Sequence, residues 1–126
     1  MRQLTIRSML TLAAAAIMAL GVVQFASART APQAHASATT IQVSGKEFSF
    51  HLSSKSIGRP GTVRFNFKNV GHVKHDFSIN RKHTPMISPG KTASITVSFK
   101  KKGKYPYLCT VPGHAAAGMK GVFTVR

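Results

Sequence analysis

The chain has 126 residues, 43% of them hydrophobic, with 18 Lys and Arg against 2 acidic residues and a formal charge of +16. That length holds one modest domain. A single cysteine excludes an internal disulfide, and so large a positive charge steers the protein toward anionic surfaces.

Residues 1–28 read as an export signal. Arg2 and Arg7 give a positive start, Met9 to Val23 an apolar run, and Ala26-Ser27-Ala28 a cleavage pattern of small residues. The alternative is an uncleaved anchor, for which the run from Ser8 to Ala26 is only marginally long enough, a membrane span needing roughly 20 residues. Either way the remainder is expected to be exported, periplasmic or extracellular. Losing Arg2 and Arg7 with the signal lowers the charge from +16 to +14. Residues 29–40 are small, polar and aperiodic, as in a flexible tether.

Residues 41–126 are expected to be the folded domain, and they read as strands. Phe48, Phe50 and Leu52 alternate with polar neighbours, as do Val63, Phe65 and Phe67, and then Ile95, Val97 and Phe99. Turn signals separate them at Arg59-Pro60-Gly61, Asn69-Val70-Gly71, Ser88-Pro89-Gly90 and Lys102-Gly103. Nothing after residue 30 has helical periodicity. The expectation is an all-β, antiparallel Greek-key sandwich of six to eight short strands, with the phenylalanines as its core. Lys100-Lys101-Lys102 is expected at a solvated hairpin tip. Pro106 cannot donate to a ladder and is expected at an edge or bulge.

Export narrows the partners that the charge implies. Exported proteins rarely meet nucleic acid, and no aromatic-and-basic RNA signature is present. An acidic redox partner, anionic membrane headgroups or an acidic cell envelope fits better; a general basic bias or an acidic habitat is the plainer explanation. A monomer is expected.

The chemistry lies near the C-terminus, in Cys109-Thr110-Val111-Pro112-Gly113-His114 and on to Met119. A lone exported cysteine is a dimerising thiol, a reactive thiol or a ligand, and its neighbours favour the ligand. One thiolate, one imidazole and one thioether on a tight Pro/Gly loop, with a further histidine from elsewhere, form the donor set of a mononuclear copper electron-transfer site. Pro112 and Gly113 let the backbone, not the metal, set the loop. The best upstream histidine is His75, just past a turn; His72 is the alternative. His35, His51 and His83 read as solvated. Zinc is the competing metal, but a thioether suits it poorly.

The domain resembles the cupredoxins, the type 1 blue copper proteins of the plastocyanin, azurin and rusticyanin kind. The resemblance rests on Asn69, Gly71, His75, Phe77, Tyr105, Tyr107, Cys109, Pro112, Gly113, His114, Gly118, Met119 and Gly121. The spacing of Cys109, His114 and Met119 is most like rusticyanin. The resemblance implies His75, Cys109 and His114 as equatorial ligands of one copper ion cycling between Cu(I) and Cu(II), with Met119 axial. It also implies that electrons leave through the edge of His114, across a flat patch built from Pro112, Gly113, Ala115, Ala116, Ala117 and Gly118. The family usually has Asn after the first histidine, and Asp76 departs from this. Its carboxylate is expected to accept from Thr110, its N–H to donate to the Cys109 sulfur, and its charge to favour Cu(II).

The functional expectation is a single-electron carrier and not an enzyme. A similar loop occurs in multidomain copper nitrite reductases, but those need a second domain and a catalytic copper. The alternative is a copper carrier or delivery protein that never cycles, for which Met86 and His83 are a hint.

Overall fold

The structure is a computed structural model and describes residues 38–126. The expected signal and tether up to residue 37 lie outside the described residues. The first strand, β1 (Thr39–Lys46), begins two residues before the expected domain boundary. It is followed by β2 (Ser49–Leu52), β3 (Ser56–Ile57), β4 (Gly61–Asn69), β5 (Ser78–Ile79), β6 (Lys82–His83), β7 (Thr92–Phe99), β8 (Gly103–Leu108) and β9 (Lys120–Val125). No helix occurs among the described residues.

Two sheets form, in the orders β2-β1-β4-β7 and β3-β9-β8-β5-β6. Their non-sequential neighbours are those of a Greek-key sandwich. The expectation of purely antiparallel pairing is corrected at two ladders: β1 runs parallel to β4, and β3 parallel to β9. The first arises because the chain leaves one sheet after β2, adds β3 to the other, and returns on the far side of β1; the second because the last strand, β9, enters between β3 and β8. Lys100-Lys101-Lys102 is likewise not a hairpin tip. It joins β7 of one sheet to β8 of the other.

The alternating strands bury the faces their period dictates. Val63, Phe65 and Phe67 of β4 and Val97 and Phe99 of β7 are buried, while Arg64, Lys68, Thr96 and Ser98 point outward. Phe77 and Phe123 complete a cluster in which Phe65 lies 5.3 Å from Phe77 and 5.4 Å from Phe123 between ring centroids. Burying each of these rings is worth about 1.5–3 kcal/mol. Phe48 breaks the pattern: it sits outside β2, at the β1–β2 turn, and is exposed. Pro106 pairs with Val122 one residue beyond the last β5 pair, Ile79 with Tyr107. There β8 has a strand on one side only, so the missing N–H leaves no gap in a two-sided ladder.

Candidate metal centre

Cys109 follows directly on β8, and Met119 immediately precedes β9. These two strands are hydrogen-bonded neighbours, so the segment between them must return on itself. The Cys109 N–H donates to the Met119 carbonyl at 3.0 Å, and the Met119 N–H donates to the His114 carbonyl at 3.0 Å. Inside this closure the His114 N–H donates to Val111 and the Ala117 N–H to Gly113. Gly113 has φ of +83° and Gly118 of +118°, values that L-side chains rarely adopt. The loop thus places three chemically distinct side chains with bonds between near neighbours.

His75 arrives by another route. It lies between β4 and β5, and its backbone exchanges two hydrogen bonds with Ile87, at 3.2 and 2.9 Å. The turn before it is pinned by buried Asn69. That side chain accepts from the Gly71 N–H at 2.9 Å and donates to the carbonyls of Val73 at 2.8 Å and Ile87 at 2.9 Å. Glu47 holds the same turn from the β1–β2 side, accepting the N–H groups of His72 at 2.6 Å and Val73 at 2.9 Å. Its carboxyl is lowered from its ordinary 4.5 to about 2, chiefly by those backbone donors and its own N–H.

The outcome is a convergence. His75 Nδ1 and His114 Nδ1 lie 3.1 Å apart, and they stand 3.9 and 3.7 Å from Cys109 Sγ. His75 and Cys109 are buried and His114 is half-buried. All three donor atoms fall within 4.8 Å of one another. Met119 is wholly buried, and its methyl end packs by Gly45, where an added Cβ would come 3.0 Å from it. His72, the alternative to His75, is exposed, with Nδ1 3.6 Å from Glu47.

Asp76 does what was expected of its carboxylate. Oδ1 accepts from the Thr110 N–H and Oδ2 from the Thr110 hydroxyl, both at 2.7 Å, tying the His75 segment to the residue after Cys109. Burial pushes the Cys109 thiol upward from its ordinary 9.0, and the Asp76 carboxylate adds to this. The N–H groups of Asp76 and Val111, which donate to the sulfur, act in the opposite direction. A buried thiol faced by two imidazole nitrogens is a donor set suited to a soft, positively charged metal ion. The residues therefore fit a copper ion of the type their chemistry implies.

Sequence reasoning missed Glu47 and Phe48. Glu47 Oε1 also lies 3.1 Å from His75 Nε2, and Phe48 meets the His114 ring edge-on at 5.0 Å between centroids. The available signal was the scarcity of acids: Glu47 is one of only two in the chain.

A family model described as copper binding proteins, plastocyanin/azurin family, matches residues 21–126. Auracyanin-B of Chloroflexus aurantiacus is 48% identical over 42 residues, which are 33% of this chain and 18% of that protein. The copper-resistant cuproprotein CopI of Rubrivivax gelatinosus is 26% identical over 119 residues, covering 78% of this chain and 72% of its own. Among solved structures, dithionite-reduced auracyanin from Roseiflexus castenholzii superposes with a TM-score of 0.62 at 27% identity, covering 71% of this chain and 98% of that one. The chain thus spans under a fifth of auracyanin-B but nearly all of the Roseiflexus structure.

Proposed function

The chain belongs to the plastocyanin/azurin family of copper-binding proteins, and on that premise we propose that it is an exported carrier of single electrons. His75, Cys109 and His114 would hold the copper ion through Nδ1, Sγ and Nδ1, with the Met119 thioether as a further, weaker donor. When bound, copper supplies the one-electron Cu(II)/Cu(I) couple; the chain supplies everything else. The sandwich buries the sulfur and His75, keeping water from the centre. The cross-strand bonds of both loops keep the donors in one arrangement, so little has to move between oxidation states.

The observation that carries this reading is the buried, pre-set thiol between two imidazoles. Cargo release calls for exposed donors; a redox centre calls for fixed ones. His114 lies at the boundary between core and solvent. Beside it a hollow of about 420 Å³ is lined by Val73, Lys74, Met86, Val111 and Pro112. Small apolar surfaces of this kind suit brief redox encounters, and the positive charge selects an acidic partner by raising the on-rate. Transfer rate should therefore fall with added salt; a flat profile would remove the steering argument.

A copper-handling role is the second reading, favoured by the CopI relatives, whose name ties them to copper resistance. Voltammetry of the copper-loaded chain in the presence of a Cu(I) chelator separates the two. A reversible one-electron wave that persists through repeated cycles supports the electron carrier. A wave that decays as reduced copper passes to the chelator supports delivery.

A further inference from the structure

The β1–β2 turn is only Glu47-Phe48, yet it reaches the outer side of both imidazoles. Glu47 Oε1 receives two backbone N–H groups, from His72 and Val73, and lies 3.1 Å from Nε2 of His75. An ionised carboxylate can only accept. His75 must then carry its proton on Nε2, which leaves the Nδ1 lone pair directed at Cys109 and His114. The carboxylate has room because residue 71 is glycine. A Cβ there would collide with both carboxylate oxygens of Glu47. Glycine is needed at this point for the closeness of the acid, since Gly71 does not have a positive φ.

We propose that Glu47 is the positioning residue of the metal centre: it fixes the tautomer and ring orientation of His75 through a carboxylate–imidazole bond that crosses from the β1–β2 turn. The proposal rests on His75 being a ligand. Carboxylates that receive the second ring N–H of a ligating histidine typically govern metal affinity by about 10- to 100-fold. The carboxylate also adds negative charge behind the imidazole, which favours the more positive oxidation state.

Three substitutions test it. Glu47→Ala removes the acceptor; Glu47→Gln keeps an acceptor oxygen and removes the charge; Gly71→Ala keeps the acid and pushes it out of place. Long-range 15N–1H correlation on the metal-free full chain reads the tautomer directly. The wild type should show His75 protonated at Nε2, Glu47→Gln should retain this, and Glu47→Ala and Gly71→Ala should show a mixed or Nδ1-protonated ring. In Cu(II) titrations the dissociation constant should rise about 10- to 100-fold in Glu47→Ala and Gly71→Ala, with Glu47→Gln recovering most of it. The reduction potential of Glu47→Gln should lie above that of the wild type. An unchanged tautomer and affinity in folded Glu47→Ala would overturn the proposal; should that variant not fold, the same result in Gly71→Ala would do so. If the wild type binds no copper, the ligand reading fails, while the tautomer still decides where Glu47 acts.

Discussion

Cys109, His114 and Met119 sit on one loop closed by bonds within itself, whereas His75 also depends on Ile87 and Glu47, which belong to other segments of the fold. The first three are placed by Cys109–Met119 pairing, a Pro-Gly turn and two left-handed glycines. The last is placed by Asn69, Ile87 and Glu47, which come from β4, from the segment before β7 and from the β1–β2 turn. A local loop needs only its own sequence and two adjacent strands. The His75 side needs most of the sandwich to be assembled first. The lesson is that half of this centre is a motif and the other half is a property of the fold.

The sharpest way to break that contrast is at Asn69. Replacing it with Ala strands the buried Gly71 N–H and the Val73 carbonyl, while the Ile87 carbonyl keeps only the His75 N–H; this should cost about 3 kcal/mol, read as a lower denaturant midpoint, with copper affinity falling alongside. On the loop side Gly113→Ala should cost only about 1–2 kcal/mol for its positive φ, because the closing bonds survive. If the loop variant proved the more damaging, the assignment of local and distributed support would be reversed.

Asp76 bridges the two halves. Asp76→Asn keeps acceptor and donor groups for Thr110 but removes a charge close to the thiolate. The fold should be retained and the reduction potential should rise by tens of millivolts, about 59 mV marking a tenfold change in the one-electron equilibrium. Voltammetry reads this directly.

A smaller effect concerns pH. Glu47 is ionised in the folded chain down to about 2 but protonates near its ordinary 4.5 when unfolded. The unfolded state then binds more protons in that window, so stability is present above 4.5 and is lost as the pH falls toward 2. Denaturant titrations of the metal-free chain should show the decline, and Glu47→Gln should flatten it. Smallest of all, Phe48→Ala uncovers one edge of the His114 ring and should leave stability nearly unchanged, since Phe48 is already exposed; chemical-shift mapping of His114 would register it.

The same division explains what could be read from the sequence. Strands β4 and β7 were legible because alternating side chains must face a core, and Val63, Phe65, Phe67, Val97 and Phe99 do. The spacing of Cys109, His114 and Met119 was legible because the loop is local. The two-residue strands β3, β5 and β6 are too short to show a period. The parallel ladders depend on where the chain crosses between sheets, which no local pattern encodes. Phe48 followed the alternation of its strand but lies outside it, at a turn beside His114. Glu47 looked like a solvent-facing partner in that alternation; only the folded turn brings its carboxylate to His75, 28 residues away.

The most direct test of the central claim is the visible spectrum of the chain with one equivalent of Cu(II), taken beside Cys109→Ser. An intense thiolate-to-copper band in the wild type, bleached by reduction and absent from the variant, is the result predicted for a buried sulfur held between two imidazoles. A colourless or weakly tinted complex, or one that Cys109→Ser leaves unchanged, would contradict it.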